Sequence, residues 1–188
     1  MKKILLIAAL TAALAGCSSL QGAGSKPADT TAAAEVKPEV ADALKKLRTA
    51  AEAGDPAAQT RLGMVYARGE AGVATDISEA AKWFRKASDQ GFAPAQTNLA
   101  VAYLTGQGGV PQDPTEAARL TKLAAEQGWP PAMTQLGFMY GKGAGVKQSW
   151  PDAEKWLKQA SAKGDENAKR LLSEIEQMKK GGAPAKKP

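Results

Sequence analysis

Three pairs of polar residues recur at a separation of three: Asp76 with Glu79, Asp113 with Glu116, and Ser149 with Asp152. Paired carboxylates are the first place to look for general acid–base chemistry. Each pair, however, stands at the expected start of a helix. There the same spacing makes a capping box, in which the first side chain accepts from the N3 amide and the second reaches back to the N-cap amide. Pro114 follows Asp113 at the first helical position, where proline is favoured. The sequence has no histidine, so the commonest general base and the commonest metal ligand are both missing. Its single cysteine is Cys17, and no serine sits in a Gly-x-Ser-x-Gly elbow. The inventory argues for a chain that is not an enzyme and holds no cofactor or metal.

The elements that carry those pairs repeat. Leu62, Leu99 and Leu136 fall in phase at a step of 37 residues, as do Tyr66, Tyr103 and Tyr140, and Gly69, Gly106 and Gly143. Such an echo marks an array of stacked units. In the first unit, Ala58, Leu62, Val65 and Tyr66 form one apolar stripe and predict an A helix from about Pro56 to Arg68. A short loop leads to a B helix from about Ile77 to Gln90, with Ala80, Ala81, Phe84 and Ala87 on its apolar side. Small residues align where backbones approach, with Gly63, Ala100 and Gly137 on the A helix and Ala80, Ala117 and Ala153 on the B helix. Neither helix has enough apolar area to stand alone, so neighbours must stack. Ala43 to Gly54 reads as a B helix without its A helix, and Asp165 to Lys179 as an A helix whose tyrosine position has become Glu176. Both are expected to be half-repeat caps with a polar outer face.

The pattern Ala58-Gln59-x-x-Leu62-Gly63-x-x-Tyr66-x-x-Gly69-x-x-Gly72-Val73-x-x-Asp76-x-x-x-Ala80-x-x-Trp83-x-x-x-Ala87 resembles the Sel-one-like repeat, a relative of the tetratricopeptide repeat. The copies that follow keep most of it, departing at Ala100 for Gly, Leu120 for Trp and Ser149 for Asp, and the third loop is one residue shorter. The resemblance covers residues 39–179. It implies an all-α, right-handed α-solenoid of antiparallel helix pairs, with three full repeats between the caps, whose A helices line the concave face. Aligned on Leu62-Gly63-Tyr66, four columns point to that face: Thr60, Thr97 and Thr134; Met64, Val101 and Phe138; Ala67, Leu104 and Gly141; and Arg68, Thr105 and Lys142. The second column is apolar although the motif leaves it free. It is either a groove for a partner or a strip buried by tight winding.

A second candidate is the position after each unit-closing glycine, which reads Asp55, Phe92, Trp129 and Asp165. The two aromatics either present hot-spot side chains or pack across the turn between units. Trp150, in register with Ile77 and Pro114, reads as core.

The N-terminus carries a different signal. Lys2 and Lys3 precede a short apolar stretch that ends in Leu14-Ala15-Gly16-Cys17. The stretch is too short to span a bilayer and is laid out as a secretory signal. The closing tetrad resembles a bacterial lipobox, which implies removal of residues 1–16 and lipidation of Cys17. Ser18 stands where an inner-membrane retention signal would place Asp, so by analogy with enterobacterial sorting the expected address is the outer membrane. Residues 17–38 are rich in Ser, Gly, Ala, Thr, Pro and Lys and read as a lipidated tether with a reach on the order of 25 Å.

The formal charge of +6 is carried by the ends. Lys2 and Lys3 belong to the signal, and Lys179, Lys180, Lys186 and Lys187 to a basic tail over 180–188. Residues 17–178 are neutral overall and present no basic face for nucleic acid. Two functions fit. One is a lipid-anchored protein-interaction scaffold of the envelope, facing the periplasm, as members of the repeat family commonly are. The other is binding of an envelope glycan, peptidoglycan or exopolysaccharide, through the aromatics and the tail.

Overall fold

Residues 37–180 are described by a computed structural model, with side chains through 177. The signal segment 1–16, Cys17, the tether up to residue 36 and the tail from residue 181 lie outside the described residues. Within them the chain forms eight α-helices and no strand. The A helices are α2 (Pro56–Arg68), α4 (Ala93–Thr105) and α6 (Pro130–Lys142). The B helices are α3 (Ile77–Asp89), α5 (Pro114–Glu126) and α7 (Trp150–Ala162). α1 (Pro38–Glu52) and α8 (Glu166–Lys180) flank them, α1 beginning ahead of the expected Ala43. Each helix packs chiefly on its neighbours in sequence, and α4 also touches α2 and α6. This is the stacking of an α-solenoid.

The core is a row of seams. Ala80, Phe84, Leu99 and Ala100 are buried in one cluster, Leu136, Leu157, Ala168 and Ile175 in the next, and Ala51, Leu62 and Trp83 at the first seam. The small A-helix residues are matched to what faces them. A methyl placed on Gly63 would lie 2.7 Å from the Phe84 ring, and one on Gly137 would lie 2.7 Å from Leu157. In the middle unit Ala100 replaces glycine, and the register position of Phe84 and Leu157 holds the smaller, fully buried Thr121. The larger A-helix residue faces the smaller B-helix residue, the compensation that close-packed interiors favour.

The B-helix starts keep half of the expected capping box. Asp76 accepts from the Glu79 amide at 2.9 Å, Asp113 from the Thr115 and Glu116 amides, and Ser149 from the Asp152 amide at 3.3 Å. The reciprocal half is absent. Each N-cap amide instead donates to the carbonyl of its unit's tyrosine: Asp76 to Tyr66, Asp113 to Tyr103 and Ser149 to Tyr140, each at 2.9 Å. With that donor satisfied by the A helix, the second carboxylate is released to other partners. Glu79 pairs with Lys82, and Glu116 makes two bonds to Arg119 at 2.7 Å.

A buried glutamine ties the helices of each of the first two units. Gln90 donates to Gln59 at 2.8 Å and Gln127 to Gln96 at 2.9 Å, while the Gln59 amide also reaches the Ala51 carbonyl of α1. The third unit has Met133 and Lys163 at these positions.

Candidate interaction face

The carboxylates that suggested chemistry are structural. Arg119 donates to Glu116 and holds its carboxyl below the ordinary range, the direction opposite to what a general acid needs. The hydrogen bond from Lys82 to Glu79 likewise raises the lysine. Among the described residues there is no group of three or more acidic, Cys or His side chains arranged to hold a metal. The surface worth describing is the outward side of the A helices.

Spacing of three and four places residues 61, 64 and 68 on one stripe of α2, with 98, 101 and 105 on α4 and 135, 138 and 142 on α6. Burial divides the candidate column. Val101 is 47% and Phe138 49% exposed, whereas Met64 is half-buried against the core. The column is therefore neither uniformly buried nor uniformly open. Leu104 is half-buried and packs on the core, and Gly141 is buried beneath Trp150. The threonine column departs most from expectation. Thr60 is buried and donates to the Pro56 carbonyl, Thr97 is half-buried and bonded to Ala93, and the buried Thr134 hydroxyl has no partner.

Two recesses lie on this face in equivalent register. One of 190 Å³ opens between α2 and α4, with Met64, Arg68, Ile77 and Val101 in its lining. The other, of 390 Å³, opens between α6 and α8 and is lined by Phe138, Lys142, Trp150 and Leu171 among others. Lys142 lies 5.9 Å from the Phe138 ring centre. Trp150 corrects the sequence reading: it is 42% exposed and forms a recess wall, not core. Its position is the first residue of α7, where the buried Gly141 opposite leaves the ring lying over the surface.

Phe92 and Trp129 turn out to be the N-caps of α4 and α6. Neither makes a side-chain cap bond, whereas the outer Asp55 and Asp165 both do. Prolines account for the tolerance: Pro94, and Pro130 with Pro131, remove amides that a cap would have to satisfy. Phe92 is half-buried and Trp129 is 37% exposed. The position thus gives up a cap and leaves an aromatic edge at the surface.

The Sel1 repeat profile matches residues 56–92, 93–129 and 130–165, each one A–B helix pair plus the turn into the next. The chain belongs to the Sel1 repeat family. Residues 1–18 match the prokaryotic membrane lipoprotein lipid attachment site, which marks the chain as a membrane-anchored lipoprotein. None of the described helices is long and apolar enough to cross a membrane. No curated protein matches the sequence. Among solved structures, a Sel1 repeat protein from Oxalobacter formigenes is similar, with 36% identity and a TM-score of 0.61 over 70% of this chain and 98% of that one. The c5321 protective antigen of uropathogenic Escherichia coli, which displays an SLR fold, is 38% identical with a TM-score of 0.62 over 66% of this chain. The alignment spans only 26% of that antigen. Cysteine-rich protein B of Helicobacter pylori shares the fold at 20% identity and a TM-score of 0.57 over 73% of this chain and 98% of that one.

In Sel1 repeat terms, the repeated positions supply seams, caps and turns, and the exposed A-helix stripe varies from copy to copy. Sel1 repeat proteins generally act as protein-interaction scaffolds. The glutamine ties, the tyrosine-carbonyl bonds and the exposure of Trp150 were not read from sequence. The first had a signal in the recurring Ala-Gln position; the second is made by a backbone carbonyl that any residue supplies, and neither it nor the last had one.

Proposed function

We propose that this Sel1 repeat lipoprotein is a non-catalytic adaptor of the bacterial envelope. Diacylated Cys17 holds it at the outer membrane, on the periplasmic side, and the outward face of the A helices receives a segment of an envelope protein. The observation that carries this is the exposure of Val101 and Phe138, at 47% and 49%, at a position the repeat motif leaves free. Large apolar side chains held open beside formed recesses are the usual mark of a docking surface.

A photo-reactive residue at position 101 or 138 tests the reading in intact cells. The expected result is a covalent adduct with one protein, identified by mass spectrometry and absent from a probe placed at Lys86 on a B helix. Equal labelling from both faces would overturn it. Binding of peptidoglycan or exopolysaccharide is the second reading, supported by the uncapped, 37% exposed Trp129 with Phe92 at the equivalent turn. Under that reading Trp129→Ala abolishes co-sedimentation with purified glycan, and a probe at 138 yields no protein adduct.

A further inference from the structure

We infer that the segment received by the A-helix face is an acidic peptide carrying two large apolar side chains. This rests on reading that face as the docking surface and names the chemistry of what it takes. Acidic side chains are segregated by helix type, whereas basic ones occur on both. The three A helices carry Arg61, Arg68 and Lys142 and no acidic residue. Every B helix carries two acids, Glu79 and Asp89, Glu116 and Glu126, Asp152 and Glu154, balanced by at least as many lysines and arginines. Burial explains why A helices hold few charges, but it does not explain why all share one sign.

Those cations stand on the stripe itself. Arg61 and Arg68 flank Met64, and Lys142 follows Phe138 by one turn. Arg61 forms no ion pair among the described residues. Arg68 pairs with Glu70 at 3.3 Å, both partners more than half exposed, so the pair is weak and exchangeable. At the register position of Val101 and Phe138, α8 carries Glu174, which lines the second recess and is offset by Arg170 at 4.0 Å. Each recess therefore joins an apolar wall to a cation at its rim: Met64, Val101 and Arg68 in one, Phe138, Trp150 and Lys142 in the other.

The recesses also set a spacing. They lie two repeats apart, and helices pack at roughly 8–10 Å, so the separation is on the order of 20 Å. An extended chain rises about 3.3 Å per residue, which puts the two anchors about six residues apart. Carboxylates between and beside them would meet the cations, with attraction that falls as salt rises.

The test uses the full-length lipoprotein in detergent micelles and a fluorescein-labelled peptide of about 12 residues. The peptide has two leucines about six positions apart in a chain of Asp, Ser and Gly. Its comparison peptide has Lys in place of every Asp. The expected result, by fluorescence anisotropy, is saturable binding of the acidic peptide at least about tenfold tighter than the lysine peptide, weakening as salt is raised. Arg61→Glu with Lys142→Glu should invert the preference, and Phe138→Ser should weaken the acidic peptide about tenfold while the circular dichroism spectrum is kept. Equal binding of the two peptides, a preference unmoved by the charge reversal, or no saturable binding of the acidic peptide would each overturn the inference. A protein adduct from position 138 together with any of those outcomes leaves the adaptor reading standing, whereas loss of the adduct removes that reading first.

Discussion

Gly137 and Phe138 are consecutive residues of α6 under opposite constraints. Gly137 points into the seam, where an added methyl would stand 2.7 Å from Leu157 and 3.1 Å from the Ala153 carbonyl. Phe138 points out and leaves half its surface uncovered. One step along a helix turns the side chain by about a quarter of a circle, and here that step crosses from packing to recognition. The positions shared between copies lie on the seam side, and the free positions lie on the face. A repeat protein can thus change its partner without changing its fold.

The strongest way to break this division is to crowd a seam where backbone meets backbone. A methyl on Gly145 would fall 1.8 Å from the Pro114 carbonyl oxygen, at a φ of +70°. Gly145→Ala is expected to cost on the order of 3 kcal/mol, read from the urea midpoint at constant slope. A cost below that of an ordinary surface change would mean the units do not meet as described.

Gly137→Ala should come next, at about 2 kcal/mol. Paired with Leu157→Thr it copies the Ala100 and Thr121 arrangement of the middle unit, so the double variant should lose less than the two singles together by about 1 kcal/mol. Strict additivity would sink the claim of matched volumes. Ala71→Gly runs the other way. Ala71 has a φ of +56° and faces a recess of 420 Å³ beside Ala41, Leu44 and Lys45, where the equivalent Gly108 meets the Ile77 carbonyl. Relief of the left-handed strain should raise stability by about 0.5 kcal/mol, net of the glycine entropy.

Of the same size is Glu116→Gln, expected to cost about 0.5 kcal/mol at neutral pH. The folded state lowers this carboxyl through Arg119, so its contribution is present above the unfolded carboxylate range and disappears as pH falls through the folded value. Unfolding curves of the two proteins should therefore converge in acid. On the face itself, Phe138→Ser should shift the urea midpoint by less than about 0.5 kcal/mol equivalent. A large loss there would mean that Phe138 belongs to the core.

The helix pattern was legible because its signals are local. Gly69, the Asp76 cap and the Leu62 to Tyr66 stripe each act within a turn or two of helix, and α2 runs over the expected Pro56–Arg68. What escaped depends on distant partners. Glu79 does not reach back to the N-cap amide because Tyr66 has already accepted that donor, and Gln90 finds Gln59 from 31 residues away. The free column was visible in the alignment, but not that Met64 would be half-buried while Val101 and Phe138 stay open. That depends on how far each neighbour covers its predecessor, and a single copy of the motif cannot report it.

The bond from each N-cap amide to its tyrosine carbonyl has a consequence for how such chains vary. The third connection runs over seven residues, 143–149, and the first two over eight, 69–76 and 106–113, yet all three clasps close at 2.9 Å. The joint between paired helices therefore tolerates a residue more or less in the segment it spans. Length changes there must be taken up away from Gly108 and Gly145, whose backbones meet the preceding unit, so the clasp and not the loop sets how the two helices pair.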